Sequence, residues 1–124
     1  MAAPNLIGAT LIYGKTTGTS LANTATLLVL NNAANSNKVF KINTLNVANA
    51  NATTAANVTV NYYTTANLAG SPLSIVANVT IPAGSTLSII DKSSQYYMEE
   101  NSSLGAIASA SNILIVTASY EDIS

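Results

Sequence analysis

Short apolar or alternating segments recur along the whole chain between turn residues, and no window repeats its apolar residues at the 3.6-residue spacing of a helix. The clearest alternation is Asn57 to Thr64 (NVTVNYYT). A two-residue period sets Val58, Val60 and Tyr62 on one face and Thr59, Asn61 and Tyr63 on the other. Leu73 to Ile81 (LSIVANVTI) repeats the pattern, with Leu73, Ile75, Ala77, Val79 and Ile81 sharing a face. Pro82-Ala83-Gly84-Ser85 then reads as a tight turn across which Thr86 to Ile90 (TLSII) pairs back. About eight to nine short antiparallel strands at such spacing predict an all-β fold, a β-sandwich or jelly roll, with a small up-and-down barrel as the alternative.

The C-terminal run from Gln95 to Ile123 holds most of the acid and three of the tyrosines. It reads as a short strand (Gln95 to Met98), an acidic turn (Glu99, Glu100, Asn101), a small-residue strand (Leu104 to Ala110), a Ser111-Asn112 corner and a closing strand (Ile113 to Tyr120). That order predicts a β-meander. Upstream, Leu11, Ile12 and Tyr13 form a short first strand and Thr16 to Ser20 a loop, while Thr26 to Leu30 (TLLVL) suits a strand covered on both faces. In Lys38 to Val47 the apolar parity changes between Ile42 and Leu45, which predicts a bulge near Asn43. Ala48 to Ala56 is a loop, because its interleaved Asn and Thr compete for the backbone that a helix would need. The linker Thr65 to Pro72 ends in a Gly70-Ser71-Pro72 turn. At 124 residues one core is expected, organised as an N-terminal arm (1–13) and a single sandwich domain (14–124).

Composition narrows the function. Only 7% of the residues are charged, against roughly 25% in a typical soluble protein, so Asn, Ser and Thr carry the solubility. Such a surface repels its own copies weakly. Four lysines, no arginine and a net charge of −1 leave no basic stripe to displace counterions from phosphates, which argues against nucleic acid as a partner. No apolar run approaches the roughly 20 residues of a membrane span, no basic region precedes the N-terminal apolar residues, and neither membrane nor export is predicted.

With no His and no Cys, the commonest general base, nucleophile and zinc ligands are missing together, so no catalytic residue and no cofactor is assigned. Lys92-Ser93-Ser94 reads as a solvated turn, since adjacent loop residues rarely face each other. Glu99 and Glu100 point to opposite sides of a strand end, which is wrong for a pair of catalytic carboxylates. Glu99, Glu100, Asn101, Glu121 and Asp122 could approach one another if the meander closed. They lack a calcium-loop spacing, so no metal is assigned. Tyr62-Tyr63 and Tyr96-Tyr97 each place one ring on either face of a strand. One of each pair is expected in the core, and Tyr63 and Tyr97 are candidates for outward-facing interface anchors.

Residues 96 to 123 resemble a β-rich module of tailed-bacteriophage structural proteins. The likeness lies in the aromatic strand running into acids (Tyr96, Tyr97, Met98, Glu99, Glu100), the small-residue strand (Leu104, Ala106, Ala108, Ser109, Ala110) and the close in Ser119-Tyr120-Glu121-Asp122-Ile123. MAAPNLIGATLIYGKTTGTSL, TLLVLNN and KVFKINTLNVAN support it more weakly. The turn here is Glu99-Glu100-Asn101-Ser102, where the module carries an acid-Gly-Asp or Asn-type turn. The resemblance implies a non-enzymatic virion protein of the capsid decoration (cement) or head-fibre type. Its expected partners are the major capsid protein and further copies of itself, with a homotrimer favoured. Made in the host cytoplasm, it would reside on the capsid surface, or in the neck, tail or fibre as the alternative. On this reading the arm residues Leu6, Ile7, Leu11, Ile12 and Tyr13 reach onto a neighbour.

Overall fold

Alternation becomes strand throughout the computed structural model, which describes residues 8, 10–91 and 93–124. The strands are β1 (Ile12–Ser20), β2 (Leu27–Asn32), β3 (Val39–Asn49), β4 (Ala56–Thr65), β5 (Ala69–Ile81), β6 (Thr86–Ile90), β7 (Tyr96–Met98), β8 (Ser102–Ala108) and β9 (Leu114–Ile123). One sheet runs β1-β9-β3-β6, and β7 lies beside β6 on the same flank of β3; the other runs β2-β8-β4-β5. All pairings are antiparallel. The chain changes sheet at every connection except β4 to β5 and β6 to β7. This is the strand order of an eight-stranded jelly roll with the three-residue β7 added.

The core lies between the sheets. Ile42, Leu45, Val47, Leu114, Val116 and Ala118 from one face meet Val58, Val60, Leu104 and Ala106 from the other. The parity change in β3 is real: its register against β9 shifts between Ile42 and Thr44, so Phe40 and Ile42 point inward before the bulge, and Leu45 and Val47 after it. Without that extra residue Leu45 and Val47 would face water.

Buried asparagines fasten the two ends of the sandwich. At one end Asn32 donates both amide hydrogens, to the carbonyls of Lys38 and Met98 at 3.0 Å each. At the other, Asn49 donates to Thr54 O (2.9 Å) and Ile81 O (3.0 Å) and accepts from Asn51 N (2.9 Å). Each amide joins chain ends that belong to different sheets.

Several sequence expectations give way here. The C-terminal run is no meander: β7 and β9 sit on opposite flanks of β3 and β8 lies in the other sheet, so these strands do not pair with one another. The reason is that the acidic turn and the Ser109–Ile113 corner carry the chain across the sandwich instead of folding it back. Likewise Pro82–Ser85 does turn, with Ser85 N bonded to Pro82 O, but β5 and β6 leave it into opposite sheets. Thr16 to Ser20 is strand, because β9 supplies partners out to Ser20↔Ile115. Gly70-Ser71-Pro72 lies within β5, and the β4–β5 turn falls at Asn67-Leu68, both with φ near +61°. β2 is an edge strand covered on one face, which leaves Leu28 exposed.

That turn is held from outside itself. Ala66, Asn67 and Leu68 donate their amides to the side chains of Asn101, Asn31 and Ser103. Three side-chain acceptors thus hold a left-handed leucine, a conformation that bulky residues rarely adopt.

Candidate interaction surface

The sandwich has two lateral sides, one ending in β1 over β2 and the other in β5 over β6 and β7. On the first side, β1 pairs with β9 from Ile12↔Ile123 to Ser20↔Ile115 without a register shift. Among the described residues no strand covers its outer flank. Leu11, Ile12 and Tyr13 cluster at its start, with Ile12 60% exposed. Leu11 already belongs to this edge: it exchanges both backbone hydrogen bonds with Ser124. Leu6 and Ile7 lie outside the described residues.

On the second side, Tyr62 from β4, Leu73, Ser74 and Ile75 from β5, and Tyr96 and Tyr97 from β7 line an open groove of about 420 Å³. β7 is a three-residue edge strand, and of its residues only Met98 enters the core. Tyr96 and Tyr97 are therefore both exposed, which corrects the expectation that one of them would be core. Of the other tyrosine pair, Tyr62 packs partly on the core and reaches the groove, whereas Tyr63 is half-buried and stands outside it. Tyr120 is committed elsewhere, its ring 5.2 Å from that of Phe40.

Leu73, Ser74 and Ile75 were not legible as site residues. In the sequence Leu73 and Ile75 share a face with Ala77, Val79 and Ile81, with Ser74 on the other, but β5 carries three register shifts against β4 and drifts out of phase with the core. The leucine at its start is left on the surface.

The acids do not gather into one cluster; among the described residues no group of three or more is placed to hold a metal ion. Asp122, whose side chain is 3% exposed, lies 2.8 Å from Lys15 Nζ and 3.4 Å from Lys38 Nζ. The hydrogen bond from Lys15 to Asp122, and then the charge of that carboxylate, raise the Lys15 pKa above 10.5. Glu121 faces Lys41 at 3.7 Å and accepts from Asn43 Nδ2. Glu100 accepts from the Asn37 amide. Ser93 and Ser94 turn onto the Asp91 carboxylate, and Lys92 lies outside the described residues.

No family model matches the chain, and no curated protein matches it. Solved structures are similar to it. One belongs to the work titled "Bacillus endospore appendages form a novel family of disulfide-linked pili"; it is 11% identical with a TM-score of 0.54, over 98% of this chain and 95% of that one. Another, from the crystal structure of the T13 IBDV viral particle, is 10% identical with a TM-score of 0.49 and aligns with 91% of this chain. The match spans 30% of that particle protein. At 11% identity the likeness to the appendage protein concerns the fold alone.

What the surface offers is recognition chemistry: on one side a strand edge with an apolar corner, unpaired among the described residues, and on the other an aromatic groove with one serine. A strand edge takes another extended backbone, and a groove of this lining takes a flat or apolar group.

Proposed function

We propose that this chain is a structural subunit of a virion, a capsid decoration protein that bridges neighbouring subunits of the shell. The observation that carries the proposal is the pairing of two adhesive sides, neither dominated by charge, on one rigid sandwich: the open β1 edge with Leu11, Ile12 and Tyr13, and the groove lined by Tyr62, Tyr96 and Tyr97. Few surface charges separate the copies, so dense packing carries little repulsive cost. The resemblance of residues 96 to 123 to phage structural modules supports a virion protein. The appendage proteins of similar fold are described as disulfide-linked, whereas these 124 residues contain no cysteine, so contacts made through them are not disulfides.

The mechanism is one of linkage. A decoration copy touches only the assembled shell, so each contact of standard size, about 1,600 Å² in total, shifts the equilibrium away from disassembly. Capsids assembled without this chain should take it up on mixing and melt several degrees higher. Capsids that neither bind it nor gain stability would refute the reading.

The groove favours a second reading, a neck, tail or fibre component that binds a receptor sugar. Aromatic faces accept the apolar side of a pyranose, and Ser74, whose hydroxyl donates to Asn61 Oδ1 at 2.9 Å, keeps acceptor capacity for a sugar hydroxyl. Glycan binding that is lost in Tyr97→Ala would favour it.

A further inference from the structure

β1 ends its sheet, and among the described residues no strand lies along its outer edge. Leu11 and Ser124 exchange both backbone bonds, at 3.1 and 2.9 Å, and further along Leu21 N bonds Leu114 O at 2.8 Å. In an antiparallel ladder bonded and non-bonded pairs alternate. The unbroken register therefore assigns Tyr13, Lys15, Thr17 and Thr19 to bonds with β9. Ile12, Gly14, Thr16, Gly18 and Ser20 consequently aim both N–H and C=O away from the sheet. None of these groups has a strand partner among the described residues.

The other edges are blunted as natural sheets usually blunt them. β5 is broken by three register shifts and contains Pro72, and β2 shifts between Leu28 and Leu30. β6 and β7 are five and three residues long. β1 has nine residues, no bulge and no proline. Its single charge, Lys15, is turned onto Asp122.

We propose that two copies of this chain pair through β1, antiparallel about a two-fold axis at Thr16, to make one sheet that runs through both sandwiches. In that register Thr16 faces Thr16, Gly14 faces Gly18 and Ile12 faces Ser20. Every outward group is used, for on the order of ten hydrogen bonds between chains. Lys15 falls opposite Thr17. A register centred on residue 15 would instead set lysine against lysine and leave the groups of Ser20 unpaired. Gly14 and Gly18 bring no side chain to the seam; a Cβ on Gly14 would meet nothing within 4 Å, and one on Gly18 would meet Thr117 Cγ2 of its own chain at 3.1 Å. A two-fold pair replaces the trimer expected from the resemblance, and it concerns the purified chain, so it stands or falls apart from the capsid reading.

Because the chain has no cysteine, one introduced thiol reports the register. Opposed residues of a bonded pair sit about 5.5 Å apart at Cα, within disulfide reach. Thr16→Cys should oxidise to a covalent dimer. Ser20→Cys, whose counterpart in the second copy lies eight positions away, or about 26 Å, should stay monomeric on a non-reducing gel. Thr16 shares only an exposed 3.0 Å hydrogen bond with Ser119, so its replacement leaves the sheet intact. Amide exchange on the unmodified chain gives an independent reading. Over about a hundredfold dilution the amides of Gly14, Thr16 and Gly18 should speed up roughly tenfold, as mass action dissolves the pair. Those of Tyr13, Lys15 and Thr17 should not respond. Sedimentation as a monomer or trimer at every concentration, equal crosslinking of both cysteine variants, or crosslinking of neither would each overturn the proposal.

Discussion

Replacing Asn49 by aspartate tests the end clamps with almost no change in volume. Asn49 is 3% exposed and uses both amide hydrogens, on Thr54 O and Ile81 O, while its oxygen accepts from Asn51 N. Aspartate keeps the acceptor and loses both donors, leaving a carboxylate oxygen against two carbonyl oxygens. Two lost bonds at about 1 kcal/mol each, with about 1–3 kcal/mol for stranding buried carbonyls, give a cost of roughly 3–5 kcal/mol at neutral pH. For a domain of this size that is a fall in Tm of about 10–20 °C.

The pH dependence of the same variant has a definite sign. Burial and the two carbonyls favour the neutral acid, so the folded pKa of the new carboxyl lies above its unfolded value of about 3.9. The penalty is therefore full above the folded pKa, and it shrinks as pH falls towards 4, where the protonated acid can donate one bond. Thermal unfolding of variant and parent, compared at pH 7 and at pH 4, checks both points. A variant within about 1 kcal/mol of the parent at pH 7, or a deficit unchanged in acid, would refute the clamp.

Gly105→Ala would bring a Cβ to 2.6 Å from Leu68 Cδ2 and 2.9 Å from Thr26 Cγ2, and should cost about 1–3 kcal/mol by denaturant unfolding; adding Leu68→Ala should return part of that loss. The Asp91 carboxyl is held below 3.8 first by the hydroxyl and then by the amide of Ser93. A lowered carboxylate pKa adds stability above the unfolded value that is lost as pH falls through the folded one, so Ser93→Ala should flatten the acid limb of a stability–pH curve below about pH 4. Lys15 works with the opposite sign: its contribution is complete below pH 10.5 and fades above it, and Asp122→Asn should remove that alkaline loss. Tyr97→Ala should leave Tm nearly unchanged, since the ring is 48% exposed, yet weaken binding to capsid or glycan.

The period-2 runs made the sandwich legible, and the parity change between Ile42 and Leu45 located the β3 bulge to within a residue. Strand pairing was not legible, because an apolar face looks the same whichever sheet it covers. That is why β7, β8 and β9 read as neighbours when only the turn geometry decides that they cross. Thr16 to Ser20 was hidden by composition: Thr, Gly and Ser serve a turn or an edge strand equally, and β9, about a hundred residues away, makes the choice. The exposure of Tyr97 is readable from its alternation with Tyr96, whereas the outward position of Leu73 is not, because register shifts in β5 leave no trace in local alternation.

Whether this sandwich serves a shell lattice is decided by its copy number. Quantitative mass spectrometry of purified particles gives the ratio of this chain to the major capsid protein. Decoration predicts a ratio near one or a simple fraction of it, set by the lattice. A handful of copies per particle, or none, would contradict the claim.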